Sequence, residues 1–479
     1  MKIKSFKEEI ARKTGKFWSK FSFVYKVDTN IIAIWHSLTL DLMYIKLPIK
    51  VSKTLGTNLK NVFLINSRTD DKKVLNSLLF NKPKPKFSLL RILITNLCNL
   101  NCKYCKVEHN ICRGREYSIK KRKILSVLSF FKRISDKNSP KIIQITGGEP
   151  LLVFDLVKYV VEKSRQILQK NHWVVLFTNG TLLNKNKAIF LSKNKVKVVV
   201  SIDLSKKSHD TFRVDRNGKG TYLPAIKAYN LLKDVGCEVG ISAVVGPHNV
   251  NSLPELVKKF VLRYKPSSLG LNILKQPSYS NRGYDWMKIS PRKYAESVYE
   301  AFKRIRKNSN VFIEQLNRRL NPFIQKEFKY YDCGISGNNI NIDALGEIGP
   351  CKSFLIMKRI YLKDFSNFFT NPEIFLQFMK RLTLTNKKCL KCPAIGICGG
   401  GCAYKALIEK GDMFDFSKEE CEYMNTFLKL FIKDLFEIVK NVPSFRKEGW
   451  YVPSLADRAK LWPYREVRPF SLKYPIGHY

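Results

Sequence analysis

The sequence predicts an α/β protein whose central part is a parallel sheet or partial barrel. Six short apolar strands alternate with amphipathic helices between Phe87 and about Lys275, and this alternation is typical of parallel β-α units. A proline-containing linker separates this part from a smaller N-terminal segment, and a cysteine-rich region follows it. The chain has 479 residues, 44% of them apolar. It is therefore long enough for several domains, each with its own core.

The six predicted strands are short apolar runs bounded by polar or turn-forming residues. Segments with the apolar periodicity of a helix lie between the strands. One of them has Ser252 as its predicted N-cap and Pro254 in its first turn, and it continues to Val261. No repeat of 20–50 residues accompanies the units, which argues against a solenoid. The strands are Leu89–Thr95, Lys141–Ile145, Trp173–Phe177, Val196–Ile202, Glu238–Val245 and Ser267–Leu274.

Residues 1–86 are predicted to form a β-plus-helix unit. Residues 1–22 are basic and suggest a short amphipathic helix, Phe23–Val27 and Ile31–Leu47 favour strands, and Leu75–Phe80 favour a helix. Two prolines after Asn81 indicate a stiff linker. At the other end, residues 443–479 contain five prolines and eight aromatic residues. This composition predicts a tail that wraps a domain or a partner.

The charge of the chain is strongly positive. Lys and Arg number 86 against 39 Asp and Glu, a formal charge of +47. This excess suggests an acidic partner such as nucleic acid, an anionic membrane surface or an acidic peptide. An A/T-rich genome that favours lysine is the alternative explanation.

The sequence predicts a cytoplasmic protein without a transmembrane segment. No run of 18 apolar residues occurs, and the basic first 21 residues lack the apolar core and cleavage site of a signal peptide. Twelve cysteines are too sparse for a disulfide scaffold. In a reducing compartment, clustered thiols usually indicate bound metal.

Three cysteines with x3 and x2 spacing, Cys98, Cys102 and Cys105, follow the first predicted strand. They are one ligand short of a four-cysteine zinc site or a saturated 4Fe-4S cube. The motif C-x3-C-x2-C, with Tyr104 before the last cysteine, resembles the hallmark of the radical S-adenosylmethionine (SAM) superfamily. In that family a TIM-like partial (β/α)6 barrel holds the cube, whose open iron chelates SAM. The alternative is a zinc knuckle completed by Cys112.

The resemblance extends to polar motifs at the ends of later strands, where parallel α/β folds place their chemistry. The segment Gly147-Gly148-Glu149-Pro150 is similar to the GGEP motif that binds the methionine end of SAM. Ser201 and Arg213 resemble a pair that holds the SAM carboxylate. The SAM-binding residues that the resemblance implies are Tyr104, Gly147, Gly148, Glu149, Thr178, Asn179, Ser201, Asp203 and Arg213.

Seven further cysteines between Cys333 and Cys421 have spacings that resemble the SPASM domain, which carries auxiliary iron-sulfur clusters. The resemblance implies that one 4Fe-4S cluster is held by Cys389, Cys392, Cys398 and Cys421. It implies a second cluster on Cys333, Cys351 and Cys402, whose fourth position is open or taken by a non-cysteine ligand. Two zinc ribbons are the alternative. Cys237 is predicted to be a core thiol, and Cys112 is either a spare ligand or a loop thiol.

These resemblances imply an oxidoreductase with SAM and three iron-sulfur clusters, in which Cys98, Cys102 and Cys105 hold the catalytic cube. The expected domains are the N-terminal unit at 1–86, whose winged-helix-like shape suits peptide recognition, the barrel at 87–325, the SPASM domain at 326–430 and the tail at 431–479. The expected partners are a ribosomally made peptide or a small protein, with or without an acidic leader, and a reductant such as flavodoxin or ferredoxin.

Other functions stay open at the level of sequence. Sulfatase-maturing relatives have an Asp after the second SPASM cysteine, whereas this chain has Lys352. A cofactor-biosynthesis enzyme acting on a small molecule or porphyrin is one alternative. A basic nucleic-acid-binding protein with structural metal sites is the alternative from another class.

Overall fold

The computed structural model describes residues 3–105, 117–169, 171–274 and 285–462. Cys112 and residues 463–479 of the predicted tail lie outside these ranges. The N-terminal unit contains α1 (Ile3–Thr14), β1 (Phe17–Trp18), β2 (Ser22–Lys26), β3 (Ile31–His36), β4 (Leu42–Lys46), α2 (Lys53–Val62), β5 (Leu64–Ile65) and α3 (Arg68–Phe80). Strands β2, β3 and β4 form an antiparallel meander, and β1 pairs with β5.

Strands β3 and β4 are buried on both faces, which explains their continuous apolar sequences. One face of β3, including Ile32 and Ile34, packs on α1 and α2 through a local core. The other face, including Trp35, joins the core of the barrel and of the C-terminal helices. The N-terminal unit is therefore packed into the rest of the molecule.

All six predicted parallel strands are present, and each differs from its predicted bounds by three residues or fewer at either end. The elements of this part are β6 (Leu89–Leu93), α4 (Lys121–Ile134), β7 (Lys141–Thr146), α5 (Phe154–Leu168), β8 (His172–Thr178), α6 (Lys185–Lys193), β9 (Lys197–Ser201), α7 (Lys206–Phe212), α8 (Tyr222–Asp234), β10 (Val239–Val245), α9 (Leu253–Tyr264), β11 (Ser268–Ile273), α10 (Pro291–Ile305), β12 (Phe312–Ile313) and α11 (Glu314–Gln325). Short 3-10 helices occur at Pro150–Val153 and Asp285–Met287.

The C-terminal region adds strands to the same sheet and a group of helices. Its elements are β13 (Asn339–Ile342), β14 (Ile348–Gly349), α12 (Lys352–Ile356), α13 (Glu373–Leu376), α14 (Ile395–Cys398), α15 (Ala403–Lys410), α16 (Lys418–Val439), α17 (Pro443–Glu448), β15 (Trp450–Tyr451) and α18 (Leu455–Ala459). The 3-10 helices here are Phe365–Phe368, Gln377–Lys380, Thr383–Thr385 and Cys389–Lys391.

The central sheet has nine strands in the order β12-β11-β10-β9-β8-β7-β6-β13-β14. The strands from β12 to β13 run parallel to their neighbours, and β14 is antiparallel to β13. The predicted α/β partial barrel is therefore confirmed and is extended at both edges. Sequence analysis missed β12, β13 and β14 because two to four residues carry too little periodicity.

The end of the described chain returns to the N-terminal unit. Strand β15 pairs antiparallel with β4, so the sheet order there is β15-β4-β3-β2. Trp462 stacks on Phe302 of α10 with ring centroids 4.8 Å apart. The predicted boundary between residues 430 and 431 falls inside α16, which packs along α10. Within the described ranges, helices lack the length and apolar character needed to cross a membrane.

Candidate active site

The residues predicted to act on SAM lie at the carboxyl ends of adjacent parallel strands. Cys98 follows β6, Gly147 follows β7, Thr178 ends β8 and Ser201 ends β9. Since these strands are hydrogen-bonded neighbours, their carboxyl ends meet along one edge of the sheet. The fold thus brings together residues that are about 100 positions apart in sequence.

The two glycines after β7 support the backbone that leads into Cys98. Gly148 N–H donates to Thr95 O at 2.8 Å, and Glu149 N–H donates to Leu97 O at 2.6 Å. A Cβ on Gly148 would lie 1.9 Å from Leu97 O, and one on Gly147 would lie 2.3 Å from Thr95 O. The two glycines therefore lie so close to the backbone of the chain's own cysteine loop that a side chain would not fit there.

Glu149 joins the loops after β7 and β8. Its buried carboxylate accepts hydrogen bonds from Leu151 N–H at 3.0 Å, Thr178 Oγ1 at 2.6 Å and Asn179 N–H at 2.7 Å. Burial raises the pKa of Glu149, while the three donors stabilise its charged form. This arrangement fixes the position of Thr178 and Asn179 relative to the glycine loop.

Asn99 is a member of this network that sequence reasoning missed. Asn179 Nδ2 donates to Asn99 Oδ1 at 3.0 Å, and Asn99 Nδ2 donates to Thr181 Oγ1 at 2.8 Å. These bonds connect the residue after Cys98 to the loop after β8. The only signal in the sequence is an amide side chain between two cysteines, which by itself does not predict a partner.

Tyr104, Asp203 and Arg213 form a buried group beside the cysteine loop. Tyr104 Oη donates to Asp203 Oδ2, and Arg213 Nε donates to the same oxygen at 3.1 Å. The Arg213 guanidinium lies 5.3 Å from the centroid of the Tyr104 ring. Asp203 thereby orients both predicted SAM-binding residues, while Ser201 is half-buried at the end of β9.

The three thiols of the first cluster interact electrostatically. Burial raises the pKa of Cys102 to about 12; the Arg213 charge opposes this shift, and the Cys105 and Cys98 thiols add to it. A buried thiolate needs nearby positive charge, which an iron-sulfur cluster supplies. The described residues contain no group of three His, Cys, Asp or Glu that could hold a single metal ion. Three half-buried thiol donors in one loop fit a cube with one open iron.

An apolar cover lies over Cys102 and Tyr104. Phe212, Met287 and Leu274 pack there, and Trp286 stacks on Phe212 at 5.5 Å. His248, in the loop after β10, contacts Phe212 with ring centroids 4.4 Å apart. Its two ring nitrogens are buried and have no hydrogen-bond partner within the described ranges. No sequence pattern singled out His248 or Trp286.

The four cysteines predicted to hold one C-terminal cluster line a common cavity. Cys389, Cys392, Cys398 and Cys421 surround a space of about 330 Å³. Burial raises the pKa of Cys389 and Cys398 to about 12 and that of Cys421 to about 11. A partly open cavity with four thiol donors fits a 4Fe-4S cluster.

The other three C-terminal cysteines also come together. Buried Cys402 belongs to a cluster with Phe354, Phe378 and Tyr404, and Cys333 and Cys351 pack against this cluster. Cys402 immediately precedes α15, and Cys351 immediately precedes α12. Cys237 is buried, as the sequence predicts, with its thiol 3.9 Å from Ala188 O.

Comparisons with known proteins agree with this geometry. Residues 92–260 match the family model of the radical SAM superfamily. The radical SAM cyclopropyl synthase TigE of Paramaledivibacter caminithermalis is 23% identical over 369 residues, which are 74% of this chain and 75% of that protein. A cysteine-type anaerobic sulfatase-maturating enzyme of Clostridium perfringens is 27% identical over 337 residues, covering 66% of this chain and 89% of that enzyme.

A solved structure shares the fold. Streptococcus suis SuiB bound to precursor peptide SuiA superposes with a TM-score of 0.55 at 18% identity, covering 85% of this chain and all of that one. The superfamily match begins within β6 and ends within α9, so it spans the cysteine loop and the strand-end network. Residues 92–260 therefore form a radical SAM domain, and the proteins to which the chain is similar include a cyclopropyl synthase and a sulfatase-maturating enzyme.

Proposed function

We propose that this enzyme is a radical SAM/SPASM oxidoreductase that modifies a ribosomally made peptide or a protein side chain. The observation that carries the proposal is the coexistence of two thiol arrangements in one chain. A three-cysteine loop lies at the carboxyl edge of the sheet, and a four-cysteine cavity lies in the C-terminal region. The first suits SAM cleavage, and the second suits an auxiliary electron carrier.

In this proposal Cys98, Cys102 and Cys105 hold the 4Fe-4S cluster that chelates SAM. When bound, that cluster supplies the electron that cleaves SAM to methionine and a 5′-deoxyadenosyl radical. The chain's own residues orient and shield this centre. Asp203 fixes Tyr104 and Arg213, Glu149 fixes the loops after β7 and β8, and the apolar cover excludes water.

The C-terminal region then acts as a SPASM domain at residues 326–430. Cys389, Cys392, Cys398 and Cys421 hold one auxiliary cluster in their shared cavity. Cys333, Cys351 and Cys402 hold the other, whose fourth position is open or taken by a non-cysteine ligand. An auxiliary cluster can accept the electron that remains after hydrogen abstraction and loss of a proton, so the substrate undergoes a two-electron oxidation.

The proposed substrate is a peptide that carries an acidic segment. Residues 1–86 contain 18 Lys and Arg but only six Asp and Glu, and opposite charge favours fast and specific encounter. Two related proteins support a peptide or protein substrate by what their names state: one matures sulfatases, and one was solved with a precursor peptide. Lys352 at the start of α12 favours a substrate other than a sulfatase.

Anaerobic reconstitution of the full chain tests the catalytic proposal. We expect about ten to twelve irons per chain and 5′-deoxyadenosine on addition of dithionite and SAM. Cys98→Ala should abolish SAM cleavage, and Cys392→Ala should retain it but fail to give modified peptide. Cys237→Ala is the matched control because this buried thiol belongs to neither set. Zinc in place of iron, together with intact SAM, would exclude the radical reaction.

A binding experiment tests the substrate class. We expect the chain to bind a peptide encoded beside its gene, with an affinity that falls as salt is raised. Strong binding to unrelated RNA, with a steep dependence on salt, would instead favour nucleic acid as the partner.

A further inference from the structure

Arg381 is a buried guanidinium that hydrogen-bonds to backbone carbonyls. It is 6% exposed and lies just after the 3-10 helix Gln377–Lys380. Its Nη1 donates to Gly401 O at 3.1 Å, and its Nε and Nη2 donate to Asp415 O at 3.3 and 2.9 Å. Among the residues that the structure describes, no carboxylate lies within ion-pairing distance of Arg381. Buried Arg213 and Arg319 each pair with an aspartate, whereas buried Arg458, like Arg381, donates to a backbone carbonyl.

Burying a charge without a counter-charge is costly, so the position of Arg381 needs an explanation. The guanidinium lies 4.5 Å from the centroid of the Phe416 ring, which attracts it only weakly compared with an anion. Its hydrogen bonds go to backbone carbonyls, which carry no net charge. The Glu420 carboxylate lies near Gly401 but pairs with Arg319 and Lys405. An anion is therefore expected nearby once the protein is complete.

The loop that surrounds Arg381 connects cysteines of both predicted C-terminal clusters. Gly399, Gly400 and Gly401, which have φ values of 66°, 86° and 65°, separate Cys398 from Cys402. A Cβ on Gly400 would lie 3.3 Å from Arg381 Nη1. The left-handed glycine turn thus wraps directly around the guanidinium.

The loop that Arg381 contacts carries one cysteine of each proposed cluster. Cys398 ends α14, and Cys402 immediately precedes α15. Arg381 Nη1 donates to Gly401 O, one residue before Cys402, and lies against Gly400, two residues after Cys398. Arg381 therefore lies between a ligand of one cluster and a ligand of the other.

We propose that Arg381 is the shared counter-ion of the two C-terminal clusters and that its charge raises their reduction potentials. This inference rests on the proposed function. Reduction adds one negative charge to a cluster, and a buried positive charge nearby stabilises that reduced form. Arginine suits the role because it stays protonated even when it is buried. Without Arg381, the clusters would be harder to reduce.

Redox titration followed by electron paramagnetic resonance, on the reconstituted full chain, tests this inference. We expect Arg381→Gln to shift the reduction equilibrium of at least one C-terminal cluster tenfold or more toward the oxidised form. For a one-electron couple, tenfold corresponds to 59 mV. Arg381→Lys keeps the charge, so the reduction equilibrium of each C-terminal cluster should stay within threefold of its value in the unmodified protein. Arg359→Gln, which removes an exposed charge from the same region, is the matched control.

The variants also distinguish a charge effect from a structural one. If Arg381→Gln loses a cluster while Arg381→Lys keeps both clusters at unchanged potentials, the charge role is supported. If Arg381→Lys loses clusters too, or if Arg381→Gln leaves both potentials unchanged, the inference is overturned. Absence of iron or of SAM cleavage in the unmodified protein would instead reject the proposed function, so the two failures are distinguishable.

Discussion

At the scale of single residues, the candidate active site depends on contacts within the chain as much as on ligand-binding groups. Glu149 accepts three hydrogen bonds from two loops, and Asp203 orients Tyr104 and Arg213 together. Gly148 touches the backbone that leads into Cys98. Residues of a recognisable motif therefore serve to hold the cysteine loop in place.

Gly148→Ala should impair SAM cleavage severely because the new methyl group would collide with the backbone of Leu97. A Cβ there lies 1.9 Å from Leu97 O, so the cysteine loop must move. Displacements of about 1 Å in an active site cost on the order of 100-fold in rate. The measurement is 5′-deoxyadenosine formation, with iron content determined in parallel.

Gly56→Ala is the control for this variant, since its added methyl group would meet only Val51 Cγ1 at 4.0 Å. It should cleave SAM at the rate of the unmodified protein. A Gly148→Ala protein with full SAM cleavage would show that the cysteine loop adapts, contrary to this interpretation.

The sequence allowed prediction of the strand ends but not of the contacts between distant segments. Cys98, Gly148 and Thr178 were predictable because each follows an apolar strand, and parallel strands end at one edge. Asn99, His248 and Arg381 were not, since their roles depend on neighbours brought together only by the fold. The position of a residue within a motif can be read from its neighbours in sequence. Its burial and its hydrogen-bond partners depend on the tertiary structure.

At the scale of elements, Arg91 explains how the C-terminal region attaches to the barrel. This residue interrupts an apolar strand in the sequence, yet it is buried within the sheet. Its Nε donates to Gln144 Oε1 of β7 at 2.9 Å, and its Nη1 donates to Asn341 Oδ1 of β13 at 3.0 Å. A polar ladder thus crosses three neighbouring strands and holds β13 in register with β6.

Arg91→Ala should lower the free energy of unfolding by about 1–3 kcal/mol, because it leaves the Gln144 and Asn341 side-chain oxygens without this donor inside the sheet. Urea unfolding of the reconstituted protein measures the change. Arg292→Ala, at an exposed position of α10, should alter stability by less than about 0.5 kcal/mol. Equal stabilities of the two variants would contradict the ladder interpretation.

A second contact between elements should give stability a specific dependence on pH. Lys123 of α4 contacts Asp364, before the helix Phe365–Phe368, at 2.9 Å. This contact, together with the Ser366 N–H, lowers the pKa of Asp364 from 3.8 to about 2. The contribution of the Lys123–Asp364 contact to the free energy of unfolding is therefore fully present above pH 4 and is lost as pH falls through about 2.

The contribution of this partly exposed pair should stay below about 1 kcal/mol. Asp364→Asn should remove the corresponding part of the stability difference between pH 4 and pH 2, measured by urea unfolding. The same measurement in 1 M NaCl should give a smaller difference, because salt screens exposed charges. An unchanged pH dependence in Asp364→Asn would contradict the assignment.

At the scale of the whole molecule, the N-terminal unit and the C-terminal region share one core. Trp35 of β3 donates from Nε1 to Pro393 O at 2.8 Å and stacks on Phe323 of α11 at 5.4 Å. Tyr44 of β4 donates from Oη to Ile432 O of α16 at 2.6 Å. The proposed peptide-recognition unit is thus physically joined to the region that carries the C-terminal cysteines.

Trp35→Ala should destabilise the protein by about 3–5 kcal/mol through the loss of a fully buried aromatic side chain. Because Pro393 follows Cys392, we also expect iron to be lost from the C-terminal cavity more readily. Unfolding by urea and iron release to a chelator measure the two effects. Phe80→Ala, which removes an aromatic residue that is 89% exposed, should change neither. Normal iron retention in Trp35→Ala would show that the two regions are uncoupled.

The pairing of β15 with β4 has a consequence for how the protein is made. Trp450 and Tyr451 close the edge of a sheet whose other strands are synthesised within the first 46 residues. At about 5–20 residues per second, the ribosome needs roughly 20–80 seconds to reach them. During that interval the β4 edge lacks its final strand and is open to other strands, including those of a neighbouring nascent chain. The sheet of the N-terminal unit is therefore finished only after residues 47–449 have been synthesised.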